Sequence, residues 1–487
     1  MSSARDQLRQ LQRHQVPTWW RDGKLGIMVH WTPASVPAFA PTEFDIGELL
    51  QSDIPDPLSR TPYAEWYQNS LRFPDSPVSQ HHRAVYGQRP YAEFARDWEA
   101  ALPHWDPDDW ARRFAAAGAQ HVVFVAKHSD GYCLWPTDVR HPHRSRWHST
   151  RDVVGEMAEA VRGAGMRFGL YYCGGFDWSF DDRPVGTMGD VVASVPRGDY
   201  PAYAAAQMRE LISRYRPSVL WNDVAWPSSG KELWPLFHEY YAQVPDGVVN
   251  DRWLPSNRVV SAMARGRLKG VIDAGARKMA RRDGGLIPPA PPHFDVRTPE
   301  YVAFPDTQTR AWELVRGIDR SFGYNASGDP THLLSRDDML WSLVDAVAKG
   351  GNLLLNVGPR GSDAQIPAEQ IQRLDWLAQW MGANRSAVVA TRPWVVPGSV
   401  TFEGQPVRYN AASDAVHAVV QSPGHTVTLP ELAATSTTSA CTVDGVPLEH
   451  AQRSCGLEVR LPADVVDAAA AGPVALVLRS VSARPAG

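Results

Sequence analysis

Residues 219–227 of this chain read VLWNDVAWP. The apolar run, which contains β-branched residues and ends at Asp223, predicts a buried strand that presents a carboxylate at its C-terminal end. We expect Trp221 and Trp226 to flank this carboxylate. Cleavage of a sugar bond needs such a pair, because the anomeric carbon requires an anion beneath it and the ring requires a flat apolar wall. Asp223 could equally be the N-cap of the next helix.

Strand-like and helical patterns alternate over most of the chain. Further strand-like segments occur at residues 24–31, 121–128, 167–173, 247–253 and 351–358. Amphipathic helices lie between them, as the i, i+3, i+4, i+7 spacing of Met208, Leu211, Ile212 and Tyr215 indicates. Repeated β-then-α units predict an α/β fold, a (β/α) barrel of the TIM type. Few strands can be assigned between Trp253 and Asn352, so we expect a somewhat irregular barrel.

The pattern changes after about residue 384. TRPWVVPG, residues 391–398, is typical of a turn-rich linker, and short alternating segments follow at residues 415–421, 426–432, 456–462 and 474–480. Turn signals between such segments predict a small C-terminal β-sandwich. We therefore predict two domains, a catalytic barrel over residues 1–390 and a β-sandwich over residues 391–487. The sandwich segments show no aromatic platform, so we expect them to support the barrel rather than to bind carbohydrate.

Residues 253–296 form an unusual stretch. They carry eight Arg or Lys residues and include the proline-rich sequence LIPPAPPHF. A segment of this length inside a compact barrel is either a lid over a substrate site or a solvated insertion. We favour the solvated insertion.

Composition excludes several functional classes. The net charge is −4, with 44% apolar and 21% charged residues, so we expect neither nucleic acid nor a membrane surface as a partner. The polar N-terminal segment lacks the hydrophobic region of a secretory signal, which predicts a cytoplasmic protein. We also expect this segment to be mobile. The four cysteines form no CxxC pair, so no metal site is expected. Cys441 and Cys455 could form a disulfide only in an oxidising compartment.

Polar and aromatic side chains stand at the ends of five consecutive predicted strands. The C-terminal strand ends of a barrel form one face, so these side chains should converge on one site. They are His30 and Trp31; Lys127, His128, Ser129 and Asp130; Tyr171 and Tyr172; Trp221 and Asp223; and Asn250, Asp251 and Arg252.

Together with several further motifs, these segments resemble the retaining α-L-fucosidases of glycoside hydrolase family twenty-nine, in their broad-specificity branch. The motifs that carry the resemblance span roughly residues 19–394. They are WWRDGKLGIMVHW, PYAEWY, KHSDGYCLWPT, RFGLYYCGGFDW, VLWNDVAWP, VNDRW, DVRTPEY, SFGYN, KGGNLLLNVGP and TRPW. The family combines a somewhat irregular (β/α) barrel with a β-sandwich, in agreement with the pattern of this sequence.

The resemblance implies two catalytic carboxyl groups. The family's nucleophile is the aspartate of the WND motif, which corresponds to Asp223, and the acid/base glutamate corresponds to Glu300 in DVRTPEY. We expect a pKa of Glu300 above the usual range, and a separation of about 5–5.5 Å between the two groups. Residues 253–296 lengthen the usual family spacing before Glu300. Glu65 and Glu313 are therefore competing candidates, although Glu313 is expected to support the SFGYN region.

The resemblance also implies a set of sugar-binding residues. It assigns ring-hydroxyl contacts to two histidines, walls to two indoles, a pocket position to a tyrosine and an orienting role to an arginine. These residues are His30, His128, Trp66, Trp221, Tyr171 and Arg252, with Tyr172 as an alternative to Tyr171. Arg252 could orient Glu300 or keep Asp223 ionised. Where the family commonly has a second histidine, this chain has Ser129, which could contact the sugar through a bridging water.

The implied activity is hydrolysis of terminal α-L-fucosides with retained configuration, without a metal or organic cofactor. Fucose carries three hydroxyl groups, which need polar partners, and a C5 methyl group, which needs an apolar surface. This explains why the implied pocket mixes polar groups with aromatic rings. Alternatives are a related retaining glycosidase with a shifted preference, for example for α-L-galactosides, a transfucosidase, or a sugar-binding protein without activity. The expected partner is a fucosylated oligosaccharide or glycoside, and a homo-oligomer is compatible with the sequence.

Overall fold

The computed structural model describes residues 3–266, 268–283, 287 and 289–484. Its largest sheet has the strands β1 (Leu25–Val29), β2 (His121–Lys127), β3 (Arg167–Cys173), β4 (Val219–Asp223), β5 (Val248–Val249), β6 (Glu313–Gly317) and β7 (Asn352–Val357). The order across this seven-stranded sheet is β5-β4-β3-β2-β1-β7-β6, and every pairing is parallel. Parallel strands are covered on both faces, which explains their nearly continuous apolar runs.

A single segment, residues 295–301, lies between the two edge strands of this curled sheet. Parallel bridges join Asn250, next to β5, to Val296 and join Glu300 to Val315 of β6. The segment therefore occupies the eighth position of the ring and closes the barrel without forming a regular strand. This confirms the prediction of an irregular (β/α) barrel.

Helices surround the barrel sheet and connect its strands. They are α1 (Ala4–Leu11), α2 (Thr18–Gly23), α3 (Ile46–Gln51), α4 (Tyr67–Ser70), α5 (Pro77–Tyr86), α6 (Phe94–Ala101), α7 (Pro107–Ala116), α8 (Val153–Gly163), α9 (Met188–Ala193), α10 (Tyr200–Tyr215), α11 (Gly230–Gln243), α12 (Arg258–Ala264), α13 (Lys269–Asp283), α14 (Arg336–Ala348) and α15 (Ala368–Asn384). The predicted apolar stripe of α10 is buried, with Met208, Leu211, Ile212 and Tyr215 in the core.

The strand predictions for the barrel are confirmed in position, and β6 was missed. Its sequence, ELVRG, interrupts a short apolar run with Glu313 and Arg316, so it carries too weak a pattern for a buried strand. The predicted strand over residues 247–253 is only two residues long. The alternative role of Asp223 as a helix cap is wrong, since Ser229 is the N-cap of α11.

Two antiparallel sheets form the C-terminal region and enclose one apolar cluster. Their strands are β8 (Arg392–Val400), β9 (Pro406–Ala411), β10 (Val416–Val420), β11 (Thr426–Leu429), β12 (Leu432–Thr442), β13 (His450–Arg453), β14 (Gly456–Arg460) and β15 (Val474–Ala483), with α16 (Ala463–Ala468) before the last strand. The five-stranded sheet has the order β12-β15-β10-β9-β8, and the three-stranded sheet has the order β11-β14-β13. This is the predicted β-sandwich.

The interpretation of TRPWVVPG as a linker is wrong, because most of it belongs to β8. This strand tolerates Pro393 and Pro397 because it lies at the edge of the sheet, and its register with β9 shifts between Pro393 and Gly398. Trp380 of α15 donates a hydrogen bond to the carbonyl oxygen of Pro473 at 2.8 Å. A domain boundary at residue 390 stays a prediction.

The described part of the basic stretch contains two helices, and most of their residues are exposed, so the interpretation as a solvated insertion stays a prediction. Helices α12 and α13 pack against α9, and α13 also packs against α3. Ala280 of α13 is buried in the cluster that contains Ile46 and Leu50. The insertion therefore covers the helices above the barrel, and its outer face is exposed at Val259 and Val271.

The described part of the N-terminal segment contains helix α1, and the mobility expected for this segment stays a prediction. Helix α1 packs against α11, and His14 binds Asp295 of the closing segment at 2.9 Å. All four cysteines are free. Within the described residues, no helix is long and apolar enough to cross a membrane.

The pair formed by His14 and Asp295 should make stability depend on pH. Burial lowers the pKa of His14, but the hydrogen bond and charge of Asp295 raise it, and the net pKa lies above the ordinary 6.5. A raised pKa in the folded state gives stability that is present below about pH 6.5 and is lost as pH rises through the folded-state pKa.

We expect the thermal midpoint of His14→Gln to lie furthest below that of the wild type in mildly acidic solution. The gap should narrow as pH rises through the raised pKa of His14. Calorimetric melting between about pH 5 and 8 measures this gap, with the exposed His104→Gln as a matched control. A gap that does not change with pH would contradict the role of this pair.

Candidate active site

A cavity opens at the C-terminal ends of the barrel strands. Its floor is formed by residues at or just beyond the ends of successive strands. The site residues implied by the resemblance all line this cavity except Ser129; they are His30, Trp66, His128, Tyr171, Trp221, Asp223, Arg252 and Glu300. The expected convergence of the other strand-end residues is wrong for Trp31, Lys127, Asp130, Asn250 and Asp251, which do not line it. The parallel register therefore brings together groups that are up to 270 positions apart in the sequence.

An arc of stacked rings forms part of this floor. The ring centroids of His30 and His128 are 5.5 Å apart, and His128 stacks on Tyr171 at 5.4 Å. Tyr171 stacks on Trp221 at 5.3 Å, and the guanidinium of Arg252 lies 4.7 Å from the Trp221 ring centre. Because β1 to β5 are neighbours in sequence order, each strand end adds one member to this arc. The arc fixes the side chains against one another.

Asp223 ends β4, and each of its carboxylate oxygens is bound by a different group. The Tyr171 hydroxyl donates to Oδ2 at 2.7 Å, and Nη1 of Arg252 donates to Oδ1 at 3.1 Å. The backbone N–H of Val224 also donates to Oδ1 at 2.8 Å. These donors fix the plane of the carboxylate and stabilise its negative charge. One fifth of the Asp223 side chain remains exposed, toward the cavity.

The guanidinium of Arg252 connects both predicted catalytic carboxyl groups. Its Nη1 lies 3.1 Å from Oδ1 of Asp223, and its Nη2 lies 2.6 Å from Oε1 of Glu300. Thr298 anchors the same guanidinium by accepting bonds at Oγ1 and at its carbonyl oxygen. Asp251 in turn accepts a hydrogen bond from the Thr298 hydroxyl at 2.6 Å. The arginine is thus held in place by the segment that carries Glu300.

Glu300 is nearly fully buried, and its second oxygen accepts a hydrogen bond from Tyr63 at 3.2 Å. Burial raises the pKa of this carboxyl group, Arg252 lowers it, and the negative charge of Asp223 raises it. The net result is a pKa above the usual range of glutamate. A carboxyl group of this kind can hold a proton where an ordinary glutamate has lost it.

His30 and His128 are neutral bases in this environment. Burial lowers the pKa of His30 to about 4, and it lowers that of His128 well below its ordinary value. The amide nitrogen of Asn356 donates to the Phe322 carbonyl oxygen at 2.6 Å, which leaves its amide oxygen to accept from Nδ1 of His30 at 2.6 Å. This arrangement leaves Nε2 of His30 as an acceptor for a hydroxyl group.

The competing glutamates differ in position. Glu65 lines the cavity, accepts a hydrogen bond from the Gly323 N–H at 2.7 Å, and has a pKa raised by burial to about 8. Glu313 begins β6 at the opposite end of the barrel, where its carboxylate lies 3.8 Å from His121. The expectation that Glu313 supports the SFGYN region is therefore wrong, and Glu65 has this contact.

Three aromatic or polar groups lie elsewhere than the sequence suggests. The Ser129 hydroxyl is buried 3.3 Å from the sulfur of Cys173, and Ser129 does not line the cavity. Trp226 packs on Trp253 in the outer core, so only Trp221 flanks Asp223. Tyr172 donates to Gln207 on the outer side of β3. A one-residue difference in register or a bend at a strand end reverses the side on which a residue lies.

Both predicted catalytic residues are followed by a strained residue. Val224 has φ 69° and Tyr301 has φ 57°. Positive φ angles are costly for residues other than glycine, and most of all for β-branched ones such as valine. The backbone leaves the extended conformation directly after each of these two carboxylates, both of which line the cavity.

Several lining residues were missed by sequence reasoning. Tyr63 lies in the PYAEWY motif and could have been found there. The apolar members carry no chemical signal that distinguishes them from core residues. They are Met28, Ile46, Leu50, Leu58, Phe176, Met188, Val191, Val224, Pro289, Val315 and Phe322.

Comparison with known proteins identifies the family. The family model described as alpha-L-fucosidase matches residues 2–386. The tissue alpha-L-fucosidase of Bos taurus is 27% identical over 425 residues, which cover 84% of this chain and 76% of that protein. The alpha-L-fucosidase of Branchiostoma floridae is 28% identical over 434 residues, with 84% and 80% covered.

Solved structures agree in fold along nearly the whole chain. The Thermotoga maritima alpha-fucosidase in complex with fucose is 33% identical, with a TM-score of 0.79 and coverage of 96% of this chain and 98% of that one. The Thermotoga maritima alpha-L-fucosynthase is 34% identical, with a TM-score of 0.82 and coverage of 97% and 98%. The chain therefore belongs to the α-L-fucosidase family of glycoside hydrolases.

Proposed function

We propose that this α-L-fucosidase retains configuration through a covalent fucosyl-enzyme, with Asp223 as nucleophile and Glu300 as acid/base. In the first step, a carboxylate oxygen of Asp223 attacks the anomeric carbon while Glu300 gives its proton to the glycosidic oxygen. The bond to the leaving group breaks as the bond to Asp223 forms. The observation that supports this assignment best is the bridge of Arg252 between the two carboxyl groups.

In the second step, Glu300 accepts a proton from water, and the water oxygen displaces Asp223 from the anomeric carbon. Fucose leaves with its original configuration, and both carboxyl groups return to their starting states. Arg252 has the same role in each step. Its positive charge stabilises Asp223 when it is free and stabilises Glu300 when that residue is ionised.

The sugar is held by the residues of the arc and by Trp66. Nε2 of His30 accepts a hydrogen bond from a ring hydroxyl of the sugar. A neutral ring nitrogen of His128, on the neighbouring strand, can bind a second hydroxyl. Trp66 and Trp221 supply apolar faces, and Tyr171 keeps Asp223 oriented beneath the ring. The complex of the Thermotoga maritima relative with fucose supports this choice of sugar.

The substrate we propose is a terminal α-L-fucoside of an oligosaccharide or other glycoside. A cytoplasmic location and a homo-oligomeric state stay predictions from the sequence.

The stereochemistry of azide rescue tests the two roles separately. Asp223→Gly and Glu300→Ala should each lose most of their activity on 4-nitrophenyl α-L-fucoside, Asp223→Gly by at least about a thousandfold. Azide should rescue both variants. In Asp223→Gly it attacks the substrate directly and yields β-fucosyl azide. In Glu300→Ala it attacks the fucosyl-enzyme without needing a base and yields α-fucosyl azide.

The anomeric configuration of each azide product is read by proton NMR. Asp108→Gly, which changes an exposed aspartate in the first turn of α7, serves as the control and should keep its activity within a fewfold of the wild type. The same anomer from both variants would contradict the assigned roles. Full activity of Glu300→Ala without azide would move the acid/base role to Glu65.

The pH profile distinguishes Glu300 from Glu65. Transfer of a proton to the leaving group needs a protonated acid, so kcat/KM should fall as pH rises through the raised pKa of Glu300. Glu300→Gln should abolish this basic limb for 4-nitrophenyl α-L-fucoside, and Glu65→Gln should leave it in place. A basic limb near pH 8 that disappears only in Glu65→Gln would assign the role to Glu65, whose pKa is about 8.

A further inference from the structure

The lining of the active-site cavity falls into two chemically different parts. The floor carries carboxyl, imidazole, phenol and guanidinium groups from the strand ends. Above it lies a part that we call the aliphatic wall, whose side chains have no hydrogen-bonding group. It consists of Ile46, Leu50, Leu58, Met188, Val191 and Pro289. Thr61 lies next to this wall, and its Oγ1 accepts a hydrogen bond from the Tyr63 N–H at 3.4 Å.

Three segments that are far apart in the sequence build the aliphatic wall. Ile46 and Leu50 come from α3 after β1, and Met188 and Val191 come from α9 after β3. Pro289 comes from the insertion after β5. All three connections follow C-terminal strand ends, so the wall stands above the floor. A substituent that leaves the sugar toward the opening of the cavity passes along it.

Polar contacts of the insertion hold α9 in place. Asp273 of α13 accepts a hydrogen bond from the Gly189 N–H at 2.7 Å, and Lys269 pairs with Asp190 at 2.8 Å. Arg265 donates to the Ala193 carbonyl oxygen at 3.0 Å. Both ends of α9 are thus fixed by side chains of the insertion.

The segment that carries Ile46, Leu50 and Leu58 is attached to both of the other connections. The Leu58 N–H donates to the Gly186 carbonyl oxygen at 2.9 Å, which joins the connection after β1 to the connection after β3. Arg281 of α13 donates to the Gln51 carbonyl oxygen at the end of α3 at 3.3 Å. Hydrogen bonds therefore hold the segments that carry Ile46, Leu50, Leu58, Met188 and Val191 against one another.

The chemistry of the wall selects among leaving groups. Each hydroxyl group of a sugar placed against it would lose water without gaining a partner, which is unfavourable. Each methylene group of an alkyl chain would instead gain from leaving water. We infer that the aliphatic wall is the leaving-group subsite and favours α-L-fucosides of aliphatic alcohols over those of sugars. This inference rests on the proposed function.

The test compares octyl with methyl α-L-fucoside, the former below its micellar concentration. The two leaving alcohols have similar acidities, so a difference in kcat/KM reports contacts of the chain rather than chemical reactivity. We expect a ratio of kcat/KM for octyl over methyl fucoside of about tenfold or more, with most of the change in KM. The value for octyl fucoside should also exceed that for α-L-fucosylgalactose.

A double variant ties this ratio to the wall. Met188→Gln with Val191→Thr nearly conserves shape and adds polar groups to α9, and it should lower the octyl-to-methyl ratio at least about threefold. The matched control is Met279→Gln with Val271→Thr on the outer face of α13, where these side chains are 46% and 65% exposed. The control should keep the ratio of the wild type.

The outcomes separate this inference from the proposed function. A ratio near one in the wild type, or an equal fall in both double variants, would overturn the inference while the enzyme remains a fucosidase. Calorimetric titration of Asp223→Asn repeats the comparison without turnover and should show tighter binding of octyl than of methyl fucoside. Equal affinities would also overturn it. A wild-type enzyme that hydrolyses no fucoside would refute both proposals.

Discussion

The buried guanidinium of Arg252 is the constraint on which the rest of the site depends. Two carboxyl groups that are bound to one guanidinium repel each other when both are ionised, and burial makes a charge costly. One positive charge bonded to both compensates for one negative charge but not for two. Burial and the negative charge of Asp223 together outweigh Arg252 and raise the pKa of Glu300 above the usual range of glutamate. This asymmetry supports the proposed roles of Asp223 as nucleophile and Glu300 as acid.

The position of Arg252 depends in turn on how the barrel closes. Residues 295–301 take the eighth place in the ring through isolated bridges, and Thr298 and Glu300 of this segment bind the guanidinium. A regular strand would alternate its side chains between the two faces of the sheet. The strained backbone at Tyr301 breaks that alternation directly after Glu300, as Val224 does after Asp223. The irregularity of the barrel thus coincides with the positions at which carboxylates must enter the cavity.

Regular elements could be predicted from the sequence, and the irregular ones could not. Strand-like runs identified six of the seven barrel strands, and the polar or aromatic residues at the ends of these runs included His30, Tyr171, Asp223 and Arg252. The proposed role of Glu300 came from the resemblance alone, because an irregular segment has no periodic pattern that a sequence can reveal. Ser129 and Trp226 were misjudged because a bend decides which way a side chain points beyond a strand end. The basic stretch hid two helices, since a high density of charge obscures a short apolar face.

The strand ends of the barrel and the connections that follow them therefore have different roles in the proposed site. Strand ends are rigid and adjacent, so they hold the groups that must meet the sugar within tenths of an ångström. The connections above them come from unrelated parts of the chain, and their side chains can vary without disturbing the carboxyl pair. In this protein the insertion fastens those connections together through backbone and side-chain hydrogen bonds. The proposed contacts with the leaving group and the proposed chemistry at the anomeric carbon therefore lie on separate parts of the chain.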